Sequence, residues 1–421
     1  MPVSELFRQL FPGITTNSDR FMIKSLIYQV FLPIIQILSI PFTKKILKQI
    51  SFVLNREKTN RFIYLFQFSY YTNDGKTYIA GGGERYVNDI ASVVSRRGYS
   101  VILFQVGLPR SKSIWYKRNK NLLVIGIPGR SYIYPFVISL LPPAKLSIYS
   151  GYLNFGCRLQ HPNIMISHGI TWDDPHSDLS PKKIFHLFRN IDCLISVDTN
   201  TLSWIRTTYS RYLESHSAKK MYYIPNYVDL SKYSANSRIS AEHIHIIFPR
   251  RCCNQRGFWM VSEIIPDILS KYSFVTFEFV GFIHNPEIGN EINKLRETFP
   301  DQLTHRQVDE DSMPLIYQRT DIVLIPTLYS EGTSLSCIEA MACGCAIIAS
   351  NVGGLPNLII NNYNGILINP NVNELKYSIE RLINDKNLRK TLGNNARLVS
   401  QSFSKKSWEE HWEKCITHYI N

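Results

Sequence analysis

The chain has 421 residues, 44% of them hydrophobic and 19% charged, with 47 Lys/Arg against 33 Asp/Glu and a net charge of +14. That length accommodates two domains and an extension. The eight scattered cysteines exclude a small disulfide scaffold, Cys252-Cys253 and Cys343-x-Cys345 lack zinc-site spacing, and no repeat or low-complexity tract is present.

Residues 1–60 carry eight Lys/Arg and three Asp/Glu, a net of +5. Within them, Ser25–Phe42 runs eighteen residues without a charge. As helix it would span roughly 27 Å, close to a bilayer core, but Pro33, Gln29 and Gln36 disfavour an ordinary span. Without a small-residue cleavage site it does not read as a signal peptide. Interfacial membrane contact, a span and a plain helix all remain open at this point.

From Arg61 onward, apolar runs alternate with helical patterns, which predicts parallel sheets covered by helices. Arg61–Phe68 reads as a buried strand, followed by Gly81-Gly82-Gly83-Glu84-Arg85, a helical pattern to Arg97, a stop at Gly98 and a strand at Val101–Gln105. A glycine-rich turn opening a helix between two strands can cradle phosphate, although three glycines alone are weak evidence. No G-x-G-x-x-G is present, which disfavours a dinucleotide oxidoreductase. Arg110–Lys120 holds five basic residues and no acid, interleaved with Ile114, Trp115 and Tyr116. This composition suits an anionic membrane surface or a lipid-linked acceptor. It would also suit nucleic acid, but no recognised nucleic-acid motif accompanies it.

Further strands are predicted at Ile164–Ser167, Leu194–Val197, Ile244–Phe248, Val275–Val280, Ile322–Ile325 and Ala346–Ala349. His168 follows the first of these, at a strand end where ligands of α/β sheets usually bind. A lone His is more often structural. Trp172, Asp173 and Asp174 are weaker candidates for the same side of the cleft. The polar segment Leu230–Ala241 reads as an interdomain linker. Arg250, Arg251 and Arg256 lie together after a strand, and guanidiniums so close repel unless an anion sits among them.

The most informative segment is EGTSLSCIEAMACGCAIIASNVGG, with Glu331 and Glu339. Gly332, Thr333 and Ser334 form a helix start, and the helix from about Leu335 aims free amides at the preceding loop. Phosphate binds readily at such an end. An ionised Glu repels phosphate but accepts two hydrogen bonds from a diol, so Glu339 suits a ribose or sugar diol. Either Glu alone would read as a surface charge.

The whole string, continuing through GLPNLI and NNYNGILINP, resembles the donor-site signature of retaining GT-B glycosyltransferases of family 4, the glycosyl transferases group 1. That family shows E-G-x-x-x-x-x-x-E-A-M-A-x-G-x-P-V-V-A. Ala346 stands where proline is usual, and Asn357 where an acid is frequent. Arg251 and Arg256 match G-R-x-x-x-x-K-G by spacing, with Arg in place of Lys and Arg250 as an extra. Gly-Gly-x-Glu-Arg and Ser167-His168-Gly169 match further family segments, and Ile224-Pro225-Asn226-Tyr227-Val228-Asp229 resembles I-P-N-G-V-D.

The resemblance covers about residues 61–420 and implies an α/β GT-B fold: two Rossmann-like domains with parallel sheets facing across a cleft. Residues 61–235 would form the acceptor domain and 236–404 the nucleotide-sugar donor domain. The amphipathic segment 405–421, with Trp408 and Trp412, would pack back on the first domain. The implied reaction moves a sugar from a nucleotide diphosphate sugar to an acceptor hydroxyl with retention, without a metal or other cofactor. Glu339 would hold the ribose diol, and Glu331 and His168 the donor sugar. Arg250, Arg251 and Arg256 would neutralise the diphosphate, and Gly82, Gly83, Gly332, Thr333, Ser334 and Leu335 would line the donor site. Expected partners are the donor, a glycan or lipid-linked acceptor and an anionic membrane contacted peripherally, with no nucleic acid. The expected setting is the inner face of the cytoplasmic membrane, in bacterial surface polysaccharide or lipid-linked glycan synthesis. A nucleotide-sugar epimerase of the same fold and a donor-binding protein without catalysis are the alternatives.

Overall fold

The structure, a computed structural model, describes residues 40–54, 61–72, 74–79, 81–108, 114–119, 122–128, 137–138, 140–151, 159–170, 173, 188, 190–209, 220–234 and 243–420. Most of Ser25–Phe42, together with Arg110, Lys112, Lys120, Trp172, Asp174 and the linker beyond Ser234, lies outside those residues.

Two sheets organise the chain. The first holds β1 (Phe62–Gln67), β2 (Ser100–Leu108), β3 (Trp115–Asn119), β4 (Leu122–Pro128), β5 (Leu146–Ser150), β6 (Asn163–Ser167), β7 (Cys193–Ser196) and β8 (Lys220–Tyr223). Their order is β3-β4-β2-β1-β5-β6-β7-β8, and every pairing is parallel except β3 with β4. The second holds β9 (Ile244–Phe248), β10 (Val275–Val280), β11 (Leu303–Arg306), β12 (Ile322–Ile325), β13 (Ala346–Ser350) and β14 (Ile366–Ile368). It is wholly parallel, in the order β11-β10-β9-β12-β13-β14. Central strands such as FIYLFQ, IHIIF and IVLI are almost continuously apolar because helices bury both faces of a parallel sheet.

The helices are α1 (Ile40–Leu54), α2 (Gly82–Arg96), α3 (Thr199–Thr208), α4 (Phe258–Lys271), α5 (Pro286–Thr298), α6 (Met313–Gln318), α7 (Leu335–Ala342), α8 (Val372–Asn384), α9 (Lys386–Ser400) and α10 (Lys405–Ile420). Among the described residues no helix is long and apolar enough to cross a membrane. The described end of the extension, α1, buries Ile50, Val53 and Leu54 against the first sheet, while Lys44, Lys45 and Lys48 face solvent.

The basic stretch that suggested a membrane surface is in part internal. Trp115–Asn119 is the antiparallel edge strand β3. Trp115 packs edge-on to Tyr71, and Lys117 sits 4.7 Å from the Tyr71 ring centre and donates to the carbonyls of Gly75 and Lys76. Tyr116 and Arg118 remain exposed.

The last helix returns to the first domain. The backbone of Val228 pairs with Phe403 and Lys405, which directs α10 onto α2. Trp408 and Trp412 then flank Tyr86 of α2, and Trp412 Nε1 donates to Tyr86 Oη at 3.0 Å. Tyr227, where the family motif has glycine, stacks on Trp408 with ring centres 4.4 Å apart and donates its hydroxyl to Asp89. Truncating a fully buried aromatic costs about 3–5 kcal/mol. Trp412→Ala is therefore expected to lower unfolding free energy by that amount in a denaturant titration, and an unchanged midpoint would show that α10 is not part of the first domain's core.

Candidate functional site

The carboxyl ends of both sheets open onto one cleft of about 570 Å³. From the first domain it is lined by Gln67, Phe68, the Gly81–Gly83 turn, Ser150, His168 and Asn226. From the second come Arg250, Arg251, Arg256 and the run Glu331–Ser336.

Two helices start at this cleft. Gly81 caps α2 in extended backbone with no side-chain cap, and Ser334 does the same for α7, so the first-turn amides of both are left for other partners. The two ends approach closely: a Cβ on Gly82 would lie 2.9 Å from the Leu335 side chain. The first turn of α2 is tied down by Glu84, which accepts from Gln67 Nε2 at 3.2 Å and from Ser69 Oγ.

The charged centre is Glu331. Arg250 donates to its Oε1 at 2.8 Å and Arg256 to its Oε2 at 2.7 Å. Thr327 donates its hydroxyl to the same carboxylate and accepts from Arg250 at 3.0 Å. Burial would raise the Glu331 carboxyl, but the two guanidiniums outweigh it and hold it at about 2. Arg256 reaches the cleft through a 3-10 turn, Asn254–Arg256, followed by Gly257 in the left-handed region at φ 82°. A side chain at Gly257 would also strike the Pro326 carbonyl. Arg251 is exposed and makes no ion pair among the described residues.

His168 lines the first domain's side of the cleft and is half-buried. Its Nε2 lies 3.0 Å from Ser150 Oγ, and its ring meets Tyr86 edge-on at 5.3 Å. Burial pushes the imidazole down to about 4, so it is neutral at neutral pH.

Glu339 does not line the cleft. Its Oε1 accepts from Arg85 Nη1 at 2.7 Å and its Oε2 from the Tyr317 hydroxyl at 3.4 Å. Burial raises its carboxyl above the ordinary range, and Arg85 offsets this only in part. Thr333 likewise uses its hydroxyl structurally, donating to the Val197 carbonyl at 2.8 Å and accepting from the Asn226 amide at 2.8 Å. Asn357 bonds both the amide and the hydroxyl of Thr199 at the start of α3, and the Ser330 amide donates to Asp173 at 2.7 Å. Gly332 lies against the His168 carbonyl so closely that a Cβ would come within 2.7 Å. The two domains therefore meet directly around the cleft.

Sequence reasoning missed Ser150, Thr327, Tyr317 and Arg85. Arg85 stood in a quoted motif, but nothing local to it pointed to Glu339, 254 positions away. Among the described residues no group of His, Cys, Asp and Glu side chains is arranged to hold a metal, and the seven described cysteines are buried and unbridged.

Fold and cleft together define the GT-B architecture. Sucrose-phosphate synthase from Thermosynechococcus elongatus superposes with a TM-score of 0.68 at 18% identity, over 85% of this chain and 99% of that one. Anabaena HepE in complex with UDP superposes with a TM-score of 0.61 at 17% identity, over 85% and 100%. The second domain is more specific: residues 233–399 match the family Glycosyl transferases group 1. An uncharacterized glycosyltransferase of Methanocaldococcus jannaschii is 39% identical over 107 residues, 25% of this chain and 28% of its own length. An uncharacterized protein in the cps region of Klebsiella pneumoniae is 28% identical over 135 residues, 32% of this chain and 35% of its own. The chain thus matches about a third or less of the length of these two relatives.

Removing one partner of a buried ion pair costs about 3–5 kcal/mol. Glu331→Gln is expected to lose stability on that scale at pH 7, because Arg250 is left buried without a counter-charge. The sign with pH is fixed by the lowered folded-state value. The Glu331 contribution is full above about 4.5, the ordinary carboxyl value, and is lost as pH falls toward about 2. His168 adds a second loss as pH falls from 6.5 to about 4, where the unfolded chain takes up a proton that the folded one refuses. Equilibrium unfolding from pH 7 to 2 should therefore show a steep acid limb that flattens below pH 4.5 in Glu331→Gln. An identical limb in both proteins would contradict the assignment.

Proposed function

We propose that the chain is a retaining glycosyltransferase that moves a sugar from a nucleoside diphosphate sugar to an acceptor hydroxyl. One observation carries this reading: three arginines and two uncapped helix starts converge on a single cleft between the domains. Such a cluster has the chemistry of a diphosphate site, where guanidiniums and backbone amides bind anionic oxygens. Of the proteins with the same fold, HepE was solved with UDP.

In the reaction the acceptor oxygen bonds to the anomeric carbon as the bond from that carbon to the β-phosphate oxygen breaks. The acceptor proton passes to a leaving phosphate oxygen on the same face, and a nucleoside diphosphate departs. Arg251, Arg256 and the amides of Gly82, Gly83 and residues 334–336 stabilise the charge that grows on the leaving group. Arg250 and Glu331 hold the arginine cluster in shape, and Glu331 presents its remaining acceptor capacity to donor-sugar hydroxyls. Neutral His168, oriented by Ser150, is a hydroxyl partner on the first-domain side. Glu339 is the ribose ligand. Because the phosphate charge is met by arginines and amides, the reaction is metal-independent.

The likeness to a cps-region protein and the basic extension favour an acceptor in bacterial surface polysaccharide or lipid-linked glycan synthesis, with the protein at the cytoplasmic face of the membrane. Lys44, Lys45 and Lys48 of α1 provide cations for that contact.

Arg251→Ala is expected to lower sugar transfer at least about tenfold with an unchanged melting temperature, since the side chain supports no fold contact and its loss is felt in the transition state. Wild-type turnover would remove Arg251 from the mechanism. Incubation with a panel of nucleoside diphosphate sugars should yield a glycosylated acceptor in excess chelator, and epimerised donor without acceptor would instead establish the epimerase. Deleting residues 1–39, which leaves α1 intact, should reduce pelleting with anionic liposomes, and equal pelleting would remove those residues from the membrane contact.

A further inference from the structure

Arg85 belongs to the first domain, yet both carboxylates its guanidinium pairs with belong to the second. It donates to Glu339 at 2.7 Å, and its Nε lies 3.1 Å from Glu310. The inner contact is buried, with side-chain exposures of 13% and 8%, and the Tyr227 ring lies 5.6 Å from the guanidinium carbon. Burial opposes the charge on Arg85, but Glu339 holds it protonated above its ordinary value. Glu339 sits one helical turn after Leu335, which does line the cleft, so the two share a face of α7. Glu339 itself is not part of the cleft lining, and its Oε1 is taken by the Arg85 guanidinium.

A carboxylate receiving one N–H donor from Arg85 and one O–H donor from Tyr317 is already occupied by hydrogen-bond donors. A ribose diol would need the same oxygens, and it also offers two donors. Resting on the donor-site reading above, we infer that Arg85 is a cross-domain positioning residue that stands in for the ribose. In the ligand-free protein it fills the diol subsite and holds the domains together, and a nucleotide must displace it from Glu339. Glu310, half-exposed at the solvent side, helps hold the guanidinium there. Nucleotide entry and interdomain contact are then coupled through one carboxylate.

The consequence is specific to the ribose. Removing a competitor raises the fraction of binding-competent protein, and apparent affinity rises by that factor. In calorimetry on the full chain, Arg85→Gln is expected to bind uridine or guanosine diphosphate about threefold to tenfold more tightly, while inorganic pyrophosphate, which lacks the diol, binds within about twofold of wild type. Ligand-free Arg85→Gln should also show a larger radius of gyration by X-ray scattering. Glu310→Gln, an exposed change that leaves the buried pair in place, loosens the same guanidinium and should tighten nucleoside diphosphate in the same direction by less. Equal or weaker nucleoside diphosphate binding in both variants would overturn the stand-in role and leave the donor reading intact. Absence of binding to nucleoside diphosphates and pyrophosphate alike, in wild type and variants, would overturn both.

Discussion

A buried guanidinium, a partly exposed one and a buried carboxylate neutralise one another, and much of the cleft follows from how they do so. The Arg250 side chain is only 7% exposed, and a charge so placed is costly without a close partner. Glu331 supplies that partner and takes Arg256 with its second oxygen, so both cations are held in fixed directions without ligand. The backbone serves the same end. Gly257 lets α4 begin hard against Pro326, and Gly332 lets the Glu331 loop lie against His168. A cation cluster already oriented toward the cleft needs little rearrangement when an anion arrives.

The carboxylates consequently differ more than their shared motif suggests. Glu331 is driven toward full ionisation by two cations, whereas Glu339 is raised by burial that one cation does not fully offset. Two acidic groups in one cleft can signal acid–base hydrolysis. Here only Glu331 lines the cleft, and each carboxylate is already engaged by arginine. His168 is neutral for an equally plain reason: among the described residues no anion offsets its desolvation.

The strands buried on both faces were the most legible in the sequence. Ile244–Phe248, Val275–Val280 and Ile322–Ile325 appear at the bounds their apolar runs predict, because helices cover both sides of the second sheet. Other strands carry weaker signals. β3 reads WYKRN and is an edge strand, β8 reads KMYY and is half-exposed, and β14 has three residues. The individual site residues were named from their chemistry and from motif resemblance, and the structure brings Glu331, Arg250, Arg256, His168 and the Gly81–Gly83 turn to one cleft. Their mutual contacts were not legible. Arg250 reaches Glu331 across 81 positions and Arg85 reaches Glu339 across 254, distances over which only the packing of whole domains decides which charges meet.

The return of α10 to the first domain has a bearing on how the chain matures. Trp408, Trp412, Cys415 and Ile416 belong to the same apolar cluster as Tyr86, Ile195 and Tyr227. During synthesis the first domain's strands emerge long before those residues do, so one face of α2 stays uncovered while the whole second domain is being made. Emergence of α10 is then the step that completes the first domain. Because Tyr86 also touches His168, a ribosome-bound or C-terminally clipped chain would carry a finished donor domain beside an unfinished cleft wall.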